Sequence, residues 1–396
     1  MRKHLTYFTH SAGLSRRALA TIAMGGAVAA GILGNIRAAN ALAAGNLAKT
    51  PGVKLEVGWN ANPTDDDLKF LNEVGYKYVF CTASNDDMMS LDQMLALKKR
   101  YADAGITLQD IRYMMPGPTG GKIFVDILLD LPGRAQSVEN AKTWIRTSAK
   151  AGFTYTAAHL MPTGIWESGE ADVRGGVTAR DFDPAAPNVK GSVPAPGKAP
   201  AGIDTLYFGR PYSYDEQMAN FKKYFVGEIV PVLEESGVFI GFHPADSPVF
   251  DTMGGVANIM NNYAHYKAMF AAANSSNVGM ILCCGTYNEG GEAMGKPLLD
   301  VLREFNAMGK YREVHFRNVS SPPVNGRPHF HETFLDNGYY DMYKIMKTLV
   351  DIDYRHSVHM DHTIPIVGQP YSYPAYAAGF MQACLVRAMA EPKGTM

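Results

Sequence analysis

One local grammar recurs along this chain and limits what it can fold into. A helical stretch ends in glycine and a short apolar run follows, at Gly75, Gly105, Gly152 and Gly237. Glycine closes helices because it adopts the left-handed conformation without penalty. Strands that alternate with helices pair in parallel, since a parallel neighbour needs a crossover. Eight short apolar strands are predicted, over residues 54–59, 76–82, 107–115, 154–161, 238–243, 278–284, 314–319 and 357–362. Helices are predicted between and after them, over 65–74, 91–104, 138–151, 214–236, 262–273, 297–308, 342–350 and 373–389. Thr64 with Asp67 has the spacing of a capping box at the first. Pro231 must bend or interrupt the fourth. Eight βα units suit a closed (β/α)8 TIM barrel, an α/β fold, better than an open sheet. The irregular stretch is 163–213, Pro/Gly-rich from Pro184 to Gly202, which makes a long insertion after strand four. A loop of that length is functional or disordered.

The N-terminus breaks the pattern. Ser15-Arg16-Arg17 precedes an uncharged run from Ala18 to Gly34, and small residues continue to Ala44. A basic start, an apolar run and a small-residue cleavage site make an export signal, and the paired arginines resemble a twin-arginine signal. The alternative is a membrane anchor, for which the run is short. Cleavage near 41–44 divides the chain into an export signal, 1–44, and one catalytic barrel, 45–396. The expected location is the periplasm, reached through the twin-arginine machinery.

Composition then closes several doors. Hydrophobic residues are 46% and charged residues 19%, enough for a large core. A net charge of −1 argues against nucleic acid as a partner. Four cysteines in 396 residues do not make a disulfide scaffold. No G-x-G-x-x-G follows the first strand, which weakens a dinucleotide-binding reading. Self-association is left open.

In such barrels the chemistry sits at the C-terminal ends of the strands. Strand five ends Gly241-Phe242-His243-Pro244-Ala245-Asp246, and strand six ends Ile281-Leu282-Cys283-Cys284-Gly285. Strand seven reads Val314-His315-Phe316-Arg317-Asn318, and strand eight ends His359-Met360-Asp361-His362. Four successive units therefore deliver imidazole, thiol, imidazole and carboxylate to one face, a donor mixture that suits a divalent transition metal. Each alone has a plainer reading: a rim histidine, a core cysteine, a structural Asp-His pair.

With these residues in view the second half resembles the mannonate dehydratases, within the xylose-isomerase-like sugar barrels. The resemblance rests on Phe242-His243-Pro244-Ala245-Asp246-Ser247-Pro248 with Gly254-Gly255-Val256, and on Leu282-Cys283-Cys284-Gly285-Thr286. It continues through His315-Phe316-Arg317-Asn318-Val319, Phe330-His331-Glu332-Thr333-Phe334, Asp341-Met342-Tyr343, Met360-Asp361-His362 and Pro370-Tyr371. It covers residues 238–385 and is weaker earlier, at Met161-Pro162 and Trp166. It implies Mn2+, with Fe2+, Co2+ or Zn2+ as alternatives, held by His243, Cys283, His315 and Asp361. Cys283 is preferred to Cys284 because the family ligand lies two residues before a glycine, here Gly285.

The implied activity is a metal-dependent lyase reaction, loss of water from a sugar acid such as D-mannonate to give a 2-keto-3-deoxy acid. The resemblance makes His362 and Tyr371 the proton-transfer pair, His362 as base and Tyr371 as acid, beside Asp361. For Tyr371 the alternative is packing in a Pro/Tyr-rich turn. Arg317, Asn318, His159 and His331 are candidate substrate contacts, with strand or loop packing as the alternative for the two histidines. Glu289 and Glu292, in a Gly-rich stretch, are read as a mobile lid or a solvated loop, and His265 and His356 as structural. The chain departs from the family pattern at Val57-Gly58-Trp59-Asn60, at 115–121, and at Glu167-Ser168-Gly169, where an arginine-bearing segment is expected. Those positions shape substrate recognition, so the metal half agrees while the recognition half differs. Two other classes remain open: a metal-dependent sugar isomerase or epimerase on the same barrel, and a non-catalytic exported sugar-binding protein.

Overall fold

The computed structural model describes residues 52–83, 88–114, 121–192 and 201–395. The export signal lies outside them, as do 115–120 of the departure after strand three. The barrel strands are β1 Lys54–Trp59, β2 Tyr78–Thr82, β3 Thr107–Arg112, β4 Tyr155–His159, β5 Phe239–His243, β6 Val278–Cys283, β7 Tyr311–His315 and β8 Ser357–His359. Hydrogen bonds join them in the order β3-β2-β1-β8-β7-β6-β5-β4, parallel throughout. β3 and β4 lie side by side and nearly close the ring, and the Asp110 carboxylate there accepts the Ala157 N–H.

The helices follow α1 Asp65–Glu73, α2 Leu91–Asp103 and α3 Arg134–Lys150. Helix α4 has three pieces, Tyr214–Asn220, Phe221–Ile229 and Val230–Ser236, and then come α5 Tyr263–Ala273, α6 Leu298–Ala307, α7 Met342–Asp351 and α8 Ser372–Ala390. The Thr64 hydroxyl accepts the Asp67 N–H at 3.1 Å and the Asp67 carboxylate accepts the Thr64 N–H at 2.8 Å, so the capping box starts α1. Met342, Ile345, Met346 and Leu349 form the buried stripe that presses α7 onto the sheet. Burying each such side chain is worth about 1.5–3 kcal/mol. The interruption expected at Pro231 is a π-helical stretch, Phe221–Ile229, which widens the turn before a residue that has no N–H to donate. Gly75, Gly105, Gly152 and Gly237 all take positive φ, from 65° to 90°, as helix ends.

Several boundaries move, and two of the shifts bear on the site. The strand predicted over 314–319 is β7 plus a separate strand, Asn318–Val319, because the chain leaves the barrel after His315. The last strand stops at His359, so Asp361 and His362 stand on the loop beyond it. The insertion is not one open loop. Trp166–Glu167 pairs with Lys190–Gly191, and Gly169–Asp172 pairs with Thr178–Phe182. Thr178–Phe182 pairs in turn with Phe330–Thr333, which pairs with Asn318–Val319. A small antiparallel sheet thus ties the insertion to the loop after β7, on the side where the strands end. Its own core is Trp166, Phe182, Val189, Met253, Val319 and Phe330. No helix of the described residues is long and apolar enough to cross a membrane.

Candidate metal centre

His243, Cys283, His315 and Asp361 converge beyond the ends of β5–β8. One potential ligand atom from each lies within 4.8 Å of all the others. The surroundings orient each donor. His243 Nδ1 is 2.8 Å from the Pro244 carbonyl, so as a donor there it leaves Nε2 for the centre. Cys283 caps the helix Cys284–Gly290, where its Sγ accepts the Thr286 N–H at 3.3 Å. Burial works against a thiolate, but the Arg317 guanidinium and His243 outweigh it and hold the thiol well below its ordinary range. Burial pushes the adjacent Cys284 well up, and Cys284 is not among the converging groups. His315 has a carboxylate on each side, with Nδ1 3.0 Å from Asp361 Oδ1 and Nε2 2.7 Å from Glu313 Oε1. Asp361 also accepts Arg317 Nε at 2.8 Å and faces Cys283 Sγ at 3.7 Å. Burial alone would protonate Asp361; His315, His362 and Arg317 hold it ionised, well below the usual carboxylate range. Two imidazoles, a thiolate and a carboxylate, each with a second bond that aims it inward, fit a borderline divalent ion.

Around this quartet lies an ionic lattice. Arg317 donates to Asp246 at 2.7 Å, Glu289 at 2.7 Å and Glu332 at 2.9 Å. Arg180 reaches in from the insertion to the same three carboxylates, at 2.9, 2.8 and 2.7 Å. Gly285 carries no side chain because Arg317 passes against its Cα; any Cβ there would collide with the guanidinium. Glu332 Oε1 is 2.6 Å from His362 Nδ1, which leaves His362 Nε2 on the Asp361 side, 3.8 Å from Oδ1. Burial opposes the charged ring, but Asp361 and Glu332 raise His362 to about 9.

The other candidates fall in different places. His159, in register with His243, stacks on it at 4.8 Å, and both its ring nitrogens are buried with no hydrogen-bond partner among the described residues. Tyr371 sits by the end of β1. Its hydroxyl donates to Asp67 at 3.2 Å, and its ring lies 4.6 Å from Phe70 and 6.0 Å from Trp59. Arg317 has its guanidinium committed to protein carboxylates. Asn318 is not a free contact: its amide donates to the Leu335 and Tyr340 carbonyls and accepts the Val319 and Tyr340 N–H groups. His331 faces Asp181 and His329, since strand alternation turns Glu332 inward instead. Glu289 is neither lid nor solvated loop; it is fully buried between the two arginines. Glu292 is exposed.

Three contributors were hidden in the sequence. Arg180 comes from the insertion strand Thr178–Phe182, so the missing arginine after Trp166 is matched in charge by one that arrives from further along the chain. Asp246 was visible only as the tail of the strand-five motif. Glu332 carried a signal, the alternation within Phe330–Thr333, that would have preferred it to His331.

A model of the family described as D-mannonate dehydratase (UxuA) matches residues 78–387. The mannonate dehydratase of Thermotoga petrophila is 27% identical over 303 residues, covering 72% of this chain and 80% of that protein. That of Geobacillus thermodenitrificans is 27% identical over 306 residues, 72% of this chain and 78% of that one. Among solved structures, the mannonate dehydratase from Streptococcus suis serotype 2 superposes with a TM-score of 0.70 at 22% identity, over 87% of this chain and 98% of that one. A xylose isomerase domain protein from Planctomyces limnophilus gives 0.54 at 14% identity, over 86% and 99%. At those identities the structures speak for the barrel fold.

Proposed function

The chain belongs to the D-mannonate dehydratase family and is a sugar-acid hydro-lyase, and from that premise we propose which residues carry the reaction and on what substrate class. The substrate is an aldonic acid of the D-mannonate type. It loses the C2 proton and the C3 hydroxyl as one water, and the resulting enol becomes the 2-keto-3-deoxy acid. His243, Cys283, His315 and Asp361 would hold a divalent ion, with Mn2+ the first choice, and it would supply Lewis acidity to the developing charge on the sugar acid. The observation that carries this reading is the convergence of those four donors beside His362, whose Nδ1 is fixed by Glu332.

His362 Nε2 takes the C2 proton. Asp361, which raises His362, is also one of the four donors, so a bound ion would draw on the charge that holds the His362 proton. Tyr371 gives a proton to the departing hydroxyl. Its loss of solvent and the Asp67 carboxylate raise it above the ordinary phenol value, which keeps it a proton donor at neutral pH. Arg180 and Arg317 hold the acidic shell in place, and His159, stacked on His243, is a candidate contact to the substrate. A panel of aldonic and uronic acids, offered to the manganese-loaded protein, tests this reading. A keto-deoxy acid from one of them is expected; a ketose or epimer of unchanged mass would point to isomerisation instead.

The Arg16-Arg17 pair before the uncharged run from Ala18 to Gly34 supports periplasmic export by twin-arginine machinery. Cell fractionation of the chain with both arginines changed to lysine is expected to leave it in the cytoplasm, and unaltered export would refute that route.

A further inference from the structure

Below the quartet, inside the barrel, lies a buried polar group that the dehydration does not use. Glu313 stands on β7 two residues before His315, on the same face of the strand, and is 1% exposed. Its Oε1 accepts His315 Nε2 at 2.7 Å and Arg112 Nη2 at 2.5 Å. Its Oε2 accepts the Tyr155 hydroxyl at 2.9 Å. Arg112 comes from β3 and lies flat on the Phe80 ring of β2, 3.2 Å from its centroid. Glu313 thus has bonds to three groups from β3, β4 and β7, and has little freedom to turn.

We propose that Glu313, braced by Arg112 and Tyr155, is the positioning residue that decides which ring nitrogen of His315 faces the metal. A histidine presents a lone pair on one nitrogen only when the other carries the proton. Carboxylates face both ring nitrogens, but only Asp361, 3.0 Å from Nδ1, belongs to the converging quartet; Glu313, 2.7 Å from Nε2, does not, so the proton stays on Nε2 and Nδ1 is left for the ion. The carboxylate also makes the ring a stronger donor, as in carboxylate–histidine–metal triads. Arg112 shares Oε1 with His315 and the Tyr155 hydroxyl holds Oε2, which keeps the carboxylate from rotating out of the His315 bond.

This inference rests on reading the quartet as a metal centre, and the experiment separates the two. Ring-nitrogen NMR of the zinc-loaded wild-type chain reads the His315 tautomer directly. The expected spectrum has the proton on Nε2 and Nδ1 bound to zinc; a proton on Nδ1 with Nε2 bound overturns the inference while the metal centre stands. A wild-type chain that takes up no zinc overturns both. Glu313→Gln, checked for native circular dichroism and melting, is expected to bind Zn2+ and Mn2+ about 10–100-fold more weakly in a chelator competition. Wild-type affinity in folded Glu313→Gln would also overturn it. If that variant fails to fold, the wild-type spectrum decides alone.

Discussion

Asp361 takes a φ of 65°, uncommon for any residue but glycine, immediately beyond β8. Such backbone persists where surrounding contacts over-determine it. Here they are His315, Arg317, Cys283 and His362, all within reach of one carboxylate. The next residue takes the opposite part. His362 is half-exposed, bonded through Nδ1 to Glu332, and free at Nε2 to exchange a proton. His362→Ala should therefore lower turnover about 10²–10⁴-fold, the usual worth of a positioned acid or base. Metal content by emission spectroscopy should stay at the wild-type level. Metal lost together with activity would make His362 a ligand or a structural residue instead.

At the scale of elements, strands and helices with a local signature were legible and pieces made by long-range pairing were not. α1 could be read from Thr64 and Asp67 because a capping box is local. The four donors could be read because each ends a strand or sits just past one, and strand ends are marked by composition. The insertion could not, since its strands find partners only at Phe330–Thr333, some 150 positions on. For that reason Arg180 has no local signature, although its strand pairs with Phe330–Thr333. Arg180 is the fastening between insertion and barrel. Arg180→Met leaves Asp246, Glu289 and Glu332 short of one buried counter-charge, a loss of about 3–5 kcal/mol in comparable buried pairs. Hydrogen exchange is expected to rise over Thr178–Phe182 and Phe330–Thr333 while β5–β8 keep their protection. Unchanged exchange in the small sheet would show that apolar packing around Trp166 and Phe182 suffices to hold it.

For the whole molecule, the charge inside the barrel below the quartet is unevenly matched, with three carboxyl groups around one guanidinium. Glu56, Asp110 and Glu313 face Arg112. Arg112 holds Glu313 ionised, and burial with the neighbouring carboxylates raises Glu56 to about 8. Burial, with Glu313 adding to it against the pull of Arg112, likewise raises Asp110 to about 8. A carboxyl whose pKa is higher folded than unfolded binds its proton more tightly in the native state. Its contribution is complete below the unfolded value near 4 and is lost as pH rises toward 8, at about 1.4 kcal/mol per pH unit for one fully uncoupled group. Urea unfolding is expected to show stability falling from pH 5.5 to 8, with a shallower slope in Glu56→Gln. Identical slopes would mean that Glu56 is ionised throughout. The same whole-molecule view bears on export. All four cysteines are buried and unpaired, and Cys283 is held as a thiolate, the form most open to oxidation when no metal covers it. Under the proposed export, folding and metal loading beforehand would protect it.

The central claim is that this barrel removes water from a sugar acid at a metal held by His243, Cys283, His315 and Asp361. The most direct measurement strips the protein with a chelator, reloads half of it with Mn2+, gives both halves D-mannonate and follows the product by mass and by keto-acid assay. A product lighter by one water, a 2-keto-3-deoxy acid, is expected in the reloaded half alone. Equal conversion in both halves, or a product of unchanged mass, would contradict it.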